Sequence, residues 1–191
     1  MKEDSSYDKR DEEIILLIRS GKLDLFSILI ERYEGKIKRY SRKFLSNGEE
    51  INDVVQEIFI KSYVNLKSFD TKRKFSTWLY RIAHNELVNR LKKKKKIVLP
   101  LLDLDILFPY NSNGETEEKI DKKEFSKKIE NCVSDLDVKY KEPIVLYYME
   151  ELSYKEIADI LRIPISTVGI RIKRAKQLLK NTCKEINEIY G

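Results

Sequence analysis

Arg171, Lys173, Arg174, Lys176 and Lys180 crowd one segment near the C-terminal end of the chain. Guanidinium and ammonium groups at that density offer contacts to phosphates, while the side chains between them can reach base edges. The residues just before are suited to presenting such a surface. Ser153-Tyr154-Lys155-Glu156 has the pattern of a capping box, in which the Ser153 hydroxyl and the Glu156 carboxylate each satisfy a backbone N–H of the other. Leu152, Ile157, Ala158 and Leu161 then fall on one face at helical spacing. Pro164 cannot continue a helix interior but suits the first turn of a new one, on which Val168 and Ile172 repeat at i, i+4. Helix, tight turn and basic helix together form a device for reading a DNA major groove. The alternative is an amphipathic helix pair with a solvated basic face, and the motif alone leaves it open.

A second group, Asp53, Gln56 and Glu57, has spacing i, i+3, i+4, which makes one polar, acidic helix face while Val55, Ile58 and Phe59 turn inward. A metal-dependent nuclease or phosphotransferase could use such carboxylates. Two at i, i+4 are common, however, and neither a Gly-rich phosphate loop nor a histidine set accompanies them; His84 is the only histidine. No catalytic group, metal ligand set, cofactor or small-molecule substrate is expected. Cys132 and Cys183 lack metal-ligand spacing and read as small apolar residues of a protein in a reducing compartment rather than as a functional pair.

The elements that carry these groups follow from composition and period. With 191 residues the chain can bury one good core or two small ones. A net charge of +6 favours a polyanionic partner, and the scarcity of Gly (6) and Pro (4) favours helices with few tight turns. Apolar runs such as Ile14 to Ile18 are far below a bilayer span, and the N-terminus has no apolar export segment, so a cytoplasmic protein is expected. Four candidate helices lie between Asp11 and Lys96. The first ends at Gly21, the second carries Leu25 to Ile37, the third covers about Ile51 to Leu66, and the fourth about Ser76 to Lys94. Short connections between them suggest a bundle. Residues 97–121 differ, with Pro100, Pro109, Asn111-Ser112-Asn113-Gly114 and several acids, and read as a partly extended, acidic linker. From about Lys122 the helical period returns, with Phe125, Ile129, Val133 and Leu136 on one stripe, and Ile144 to Met149 following Pro143. The expected fold is all-α: two small helical domains, residues 1–96 and 122–191, joined by that linker.

Three motifs then occur in order: Asp53-Val54-Val55-Gln56-Glu57-Ile58-Phe59, then Trp78-Leu79-Tyr80-Arg81-Ile82-Ala83-His84-Asn85 after the basic loop Asp70-Thr71-Lys72-Arg73-Lys74, then Leu152 to Ala175. With them the chain resembles the extracytoplasmic-function (ECF) sigma factors of bacterial RNA polymerase, in the sigma-70 family, over nearly its whole length. The first two motifs resemble region two, a four-helix bundle, and the last resembles region four, a helix-turn-helix domain. The linker stands where this subfamily lacks region three.

The resemblance implies a non-enzymatic factor that binds core RNA polymerase, directs it to specific promoters and helps open the −10 element. It assigns Asp53, Gln56 and Glu57 to core-polymerase binding. To −10 DNA it assigns Phe69, Asp70, Thr71, Lys72, Arg73, Lys74, Arg81 and Asn85, with Asn85 offering a donor and an acceptor to the edge of a flipped base. Arg90 and Lys92 to Lys96 offer further phosphate contacts. Trp78 reads as packing rather than as a stacking platform. To the −35 element it assigns Ser166, Thr167, Ile170, Arg171, Lys173 and Arg174. Many members have a basic residue and a serine where this chain has Gly169 and Ile170, which alters the −35 sequence expected; Ile170 could touch a thymine methyl. Besides core polymerase and promoter DNA, the resemblance leaves open a cognate anti-sigma factor, membrane-bound or soluble. A stand-alone DNA-binding regulator is the rival reading, and it gives the Asp53–Glu57 face no role.

Overall fold

The computed structural model describes residues 6–94, 129 and 132–183, which fall into two compact units, Met1–Ile97 and Val98–Gly191. The linker expected at residues 97–121, and Phe125 of the expected stripe, lie outside the described residues.

The first unit consists of α1 (Asp11–Arg19), α2 (Phe26–Arg42), α3 (Gly48–Asn65) and α4 (Phe75–Lys93), close to the sequence expectation. Each boundary has a local cause. Gly21, at φ +109°, lets the chain turn after α1 in a conformation an L side chain rarely adopts. Asn47 caps α3, its side-chain oxygen accepting from the N–H groups of Glu49 and Glu50 at 2.8 and 3.1 Å. Ile14, Ile15, Leu29, Ile37, Val54, Ile58, Phe75 and Leu79 are almost fully buried and form the common core. Burial of residues this size stabilises by roughly 1.5–3 kcal/mol each. Tyr40 joins them edge-on to Tyr80, with ring centroids 5.4 Å apart.

The second unit consists of α5 (Val138–Tyr148), α6 (Tyr154–Leu161) and α7 (Ile165–Thr182). Pro143 lies inside α5 rather than ahead of it. The helix begins at Val138, where Asp137 accepts from the Lys139 N–H at 2.9 Å, so the proline falls in its second turn. The Ser153–Glu156 capping box is present as read: Ser153 N–H donates to Glu156 Oε2 at 2.9 Å and Glu156 N–H donates to Ser153 Oγ at 3.3 Å. The turn between α6 and α7 passes through Arg162 in the left-handed region, φ 55°, and α7 follows Pro164.

The cysteines correct the sequence reading. Cys132 and Cys183 are joined as a disulfide, with Cα atoms 5.9 Å apart. They are 51 residues apart in sequence, and packing rather than spacing brings them together. The pairing removes the ground on which two unrelated thiols had implied a reducing compartment.

Candidate nucleic-acid interface

In the first unit the loop between Phe69 and Phe75 is held from below by α1. Arg19 donates through Nε and Nη2 to the Leu66 carbonyl at 3.2 and 2.7 Å, and through Nη2 to the Phe69 carbonyl. At the other end, the Phe75 N–H donates to Glu12 Oε1 at 3.0 Å. Lys74 provides no side-chain cap for α4, so the carboxylate of another helix does so, where the positive end of the helix dipole favours it. The rings of Phe69, Phe75 and Trp78 pack together, Phe69–Trp78 at 5.1 Å and Phe75–Trp78 at 5.8 Å between centroids. Between these anchors Asp70 Oδ1 accepts from the Lys72 N–H at 3.0 Å and the Asp70 carbonyl accepts from the Arg73 N–H at 3.0 Å. The result is a tight turn that leaves Asp70, Lys72, Arg73 and Lys74 exposed. Asn85 is exposed on α4 and Arg81 half-buried.

On α3 the inward residues are those expected: Val55, Ile58 and Phe59 are buried. Asp53 and Gln56 are exposed, and the same face continues into Ile60, Tyr63 and Val64, which are 62%, 41% and 70% exposed. Sequence reading missed that apolar extension because each residue, taken singly, looks like core. Glu57 differs from its neighbours. Its Oε1 lies 2.9 Å from Lys61 Nζ and its Oε2 accepts from Arg90 Nη2 at 3.0 Å. Hydrogen bonds from Lys61, then Arg90, hold its pKa below the usual carboxylate range. Lys61 also reaches Glu86 Oε2 at 2.6 Å, which ties α3 to α4.

In the second unit α7 has two stripes. Val168, Arg171, Ile172, Ala175 and Leu179 are buried, and Thr167 joins them at 3% exposure. Ser166 is exposed, and Ile170, Lys173 and Arg174 are half-buried on the remaining surface. Burial pushes the Arg171 pKa down from its usual value. A β-carbon on Gly169 would meet the Tyr154 ring at 3.6 Å, so that residue faces α6. Lys176 lies over the Tyr148 ring, 5.5 Å from its centroid.

Comparison with known proteins decides the family. Residues 29–97 match the model for Sigma-70 region 2, and residues 126–179 match the model for Sigma-70, region 4. The ECF RNA polymerase sigma factor SigW of Bacillus subtilis (strain 168) is 38% identical over 178 residues, covering 88% of this chain and 94% of that protein. The chain belongs to the ECF sigma factors of RNA polymerase. The ECF RNA polymerase sigma-E factor of Escherichia coli (strain K12) is 32% identical over 179 residues, covering 90% of this chain and 93% of that one. Among solved structures, CnrH in complex with the cytosolic domain of CnrY shares the fold, with a TM-score of 0.63 and 22% identity over 94% of this chain and 96% of that one. The sigma factor RpoE of Bartonella quintana, in complex with the anti-sigma factor NepR, has a TM-score of 0.60 and 18% identity over 82% of this chain and 94% of that one.

An ECF sigma factor directs RNA polymerase to promoters, and this chain is an alternative sigma factor of that kind. Its region-2 residues Asp70, Lys72, Arg73, Lys74 and Asn85 are presented to solvent on one unit, with Thr71 and Arg81 partly so. Three residues read from the sequence as DNA contacts are buried within the chain. Phe69, at 3% exposure, anchors the loop from inside. Thr167 and Arg171 of region 4 turn towards the core because they share the helical stripe of Val168 and Ile172. Glu12 and Arg19, which the sigma factor uses to frame its loop, gave no signal in the sequence beyond two charges on an amphipathic helix.

Proposed function

We propose that this sigma factor uses the outer face of α3 to dock on core polymerase, the Asp70–Lys74 turn with Arg81 and Asn85 to capture an unpaired −10 base, and the outer stripe of α7 to grip the −35 element. Docking rests on Asp53, Gln56 and Glu57, together with the exposed Ile60, Tyr63 and Val64 on the same face. Exposed apolar side chains continuous with a polar group are what a protein partner covers. The −35 contacts fall to Ser166, Ile170, Lys173 and Arg174. Residues 1–96 form the polymerase and −10 module, 122–191 the −35 module, and 97–121 the acidic linker between them. The factor performs no catalysis of its own, acts in the cytoplasm, and takes no cofactor. The anti-sigma factor NepR, bound to the structurally similar RpoE, supports a cognate anti-sigma partner here as well.

The observation that carries this reading is the exposed turn Asp70–Lys74, framed by α1 on the same unit as the α3 face. Run-off transcription with core polymerase and the DNA upstream of the chain's own gene tests it. A discrete transcript that disappears with Asn85→Ala, while pull-down of core persists, is the expected result. Absence of core binding would leave the stand-alone DNA binder in its place.

A further inference from the structure

Glu57 is where the docking face of α3 meets α4. Both its oxygens are engaged within the fold, Oε1 by Lys61 at 2.9 Å and Oε2 by Arg90 at 3.0 Å. Lys61 has a second carboxylate, Glu86, at 2.6 Å. Arg90 lies on an open groove lined by Glu50, Glu57 and Glu86 as well as by Asn89, Lys92 and Lys93, and Asn89 stands one turn beyond Asn85 on α4. The side chains of Arg90 and Glu57 are 24% and 41% exposed, so the pair can separate without unpacking the core. A pair this accessible is weakly held, and a competing cation displaces it at little cost.

We propose that core polymerase and Arg90 compete for Glu57, so that docking releases the Arg90 guanidinium to bind a phosphate of the −10 strand. The inference rests on the docking and −10 readings above. Before docking, Glu57 neutralises Arg90 in the last turn of α4, the helix that carries Asn85. A basic side chain of the partner then takes the carboxylate. Lys61 stays with Glu86, and the charge that becomes available is that of Arg90. The sigma factor thus gains a phosphate contact only as it joins polymerase. Contacts of this kind set affinity without adding sequence information.

The test measures binding of a short fluorescein-labelled single strand, carrying the −10 sequence of the chain's own gene, as a function of salt. With the isolated full chain, Glu57→Gln is expected to tighten binding about three- to tenfold and to steepen the log K against log salt slope by about 0.7, the value for one added phosphate contact on single-stranded DNA. Glu49→Gln removes the same charge from the exposed first turn of α3 and is expected to leave the slope unchanged. The double variant Glu57→Gln/Arg90→Gln should return to wild-type affinity and slope. Release of Arg90 is overturned if Glu49→Gln matches Glu57→Gln, if the double variant keeps the gain, or if Glu57→Gln changes nothing. A parallel arm uses reconstituted holoenzyme, where Arg90→Gln should flatten the slope by about 0.7. Wild-type holoenzyme that fails to bind the strand would overturn the −10 reading itself. Normal holoenzyme binding that is indifferent to Arg90→Gln would overturn the release alone.

Discussion

Gly169 of α7 faces Tyr154 of α6 across the helix-turn-helix, and a β-carbon placed on it would lie 3.6 Å from Tyr154 Cε2. That is ordinary van der Waals contact, so the space accepts one methyl group without displacement. Glycine inside a helix costs on the order of 1 kcal/mol relative to alanine. Gly169→Ala is therefore expected to stabilise region 4 by about 0.5–1 kcal/mol, read as a rise in the urea midpoint with the m-value unchanged. A fall in stability would show that the close approach of the two helices needs a bare backbone.

Arg19 and Glu12, two turns apart on α1, hold opposite ends of the Phe69–Phe75 loop. Hydrogen bonds from a charged group contribute about 1.5–3 kcal/mol. Arg19→Met should lower stability within that range, and holoenzyme carrying it should open promoters less completely, measured as permanganate reactivity of −10 thymines. Full reactivity with the lowered stability would separate the loop's frame from its function.

Arg171 and Arg174 should part company. Arg171 is 9% exposed and desolvated, so Arg171→Met acts through folding, by about 1–3 kcal/mol of either sign depending on how well the methionine fills the site. Arg174→Ala, at the surface, should change melting by less than about 0.5 kcal/mol and reduce the salt slope of −35 binding by about 1. Equal losses of DNA affinity from both, with melting intact, would place Arg171 at the DNA after all.

Closing the chain between Cys132 and Cys183 restricts the unfolded state of the second unit, an effect of roughly 2–4 kcal/mol for natural disulfides. Reductant should lower the melting temperature of the wild-type protein and leave Cys132→Ser/Cys183→Ser unmoved. Alkylation under denaturing conditions, followed by mass measurement, counts the thiols in each state. Identical melting with and without reductant would mean that the link adds nothing to stability.

Much of the fold was legible because its signals are local. The Ser153–Glu156 box and the spacing of Ile14, Ile15 and Ile18 each act over a few residues, and each appears where the pattern placed it, whereas α3 starts at Gly48 on its Asn47 cap, ahead of the Ile51 expected. The Ile144–Met149 run after Pro143 did not give the start of α5, which opens at Val138 on the capping oxygen of Asp137. At the candidate site the exposed turn Asp70–Lys74 followed from its residues. Its supports did not, because Glu12 to Phe75 and Arg19 to Leu66 are contacts between distant segments. The inward turn of Arg171 was hidden for a different reason. A basic residue in a basic helix suggests a DNA contact by its type, while its place on the Val168–Ile172 stripe buries it. The Cys132–Cys183 pairing, like the Glu57–Arg90 pair, required the packing itself.

The frame of the Phe69–Phe75 loop is attached to main-chain atoms. Arg19 grips the carbonyls of Leu66 and Phe69, and Glu12 the N–H of Phe75. None of these anchors depends on which side chains occupy positions 71 to 74. The turn can therefore be rewritten residue by residue, by drift in nature or by library in the laboratory, while its two ends stay where they are. Under the −10 role proposed for this turn, promoter preference can change without rebuilding the scaffold, and loop grafts between sigma factors should begin at Asp70 and stop at Lys74.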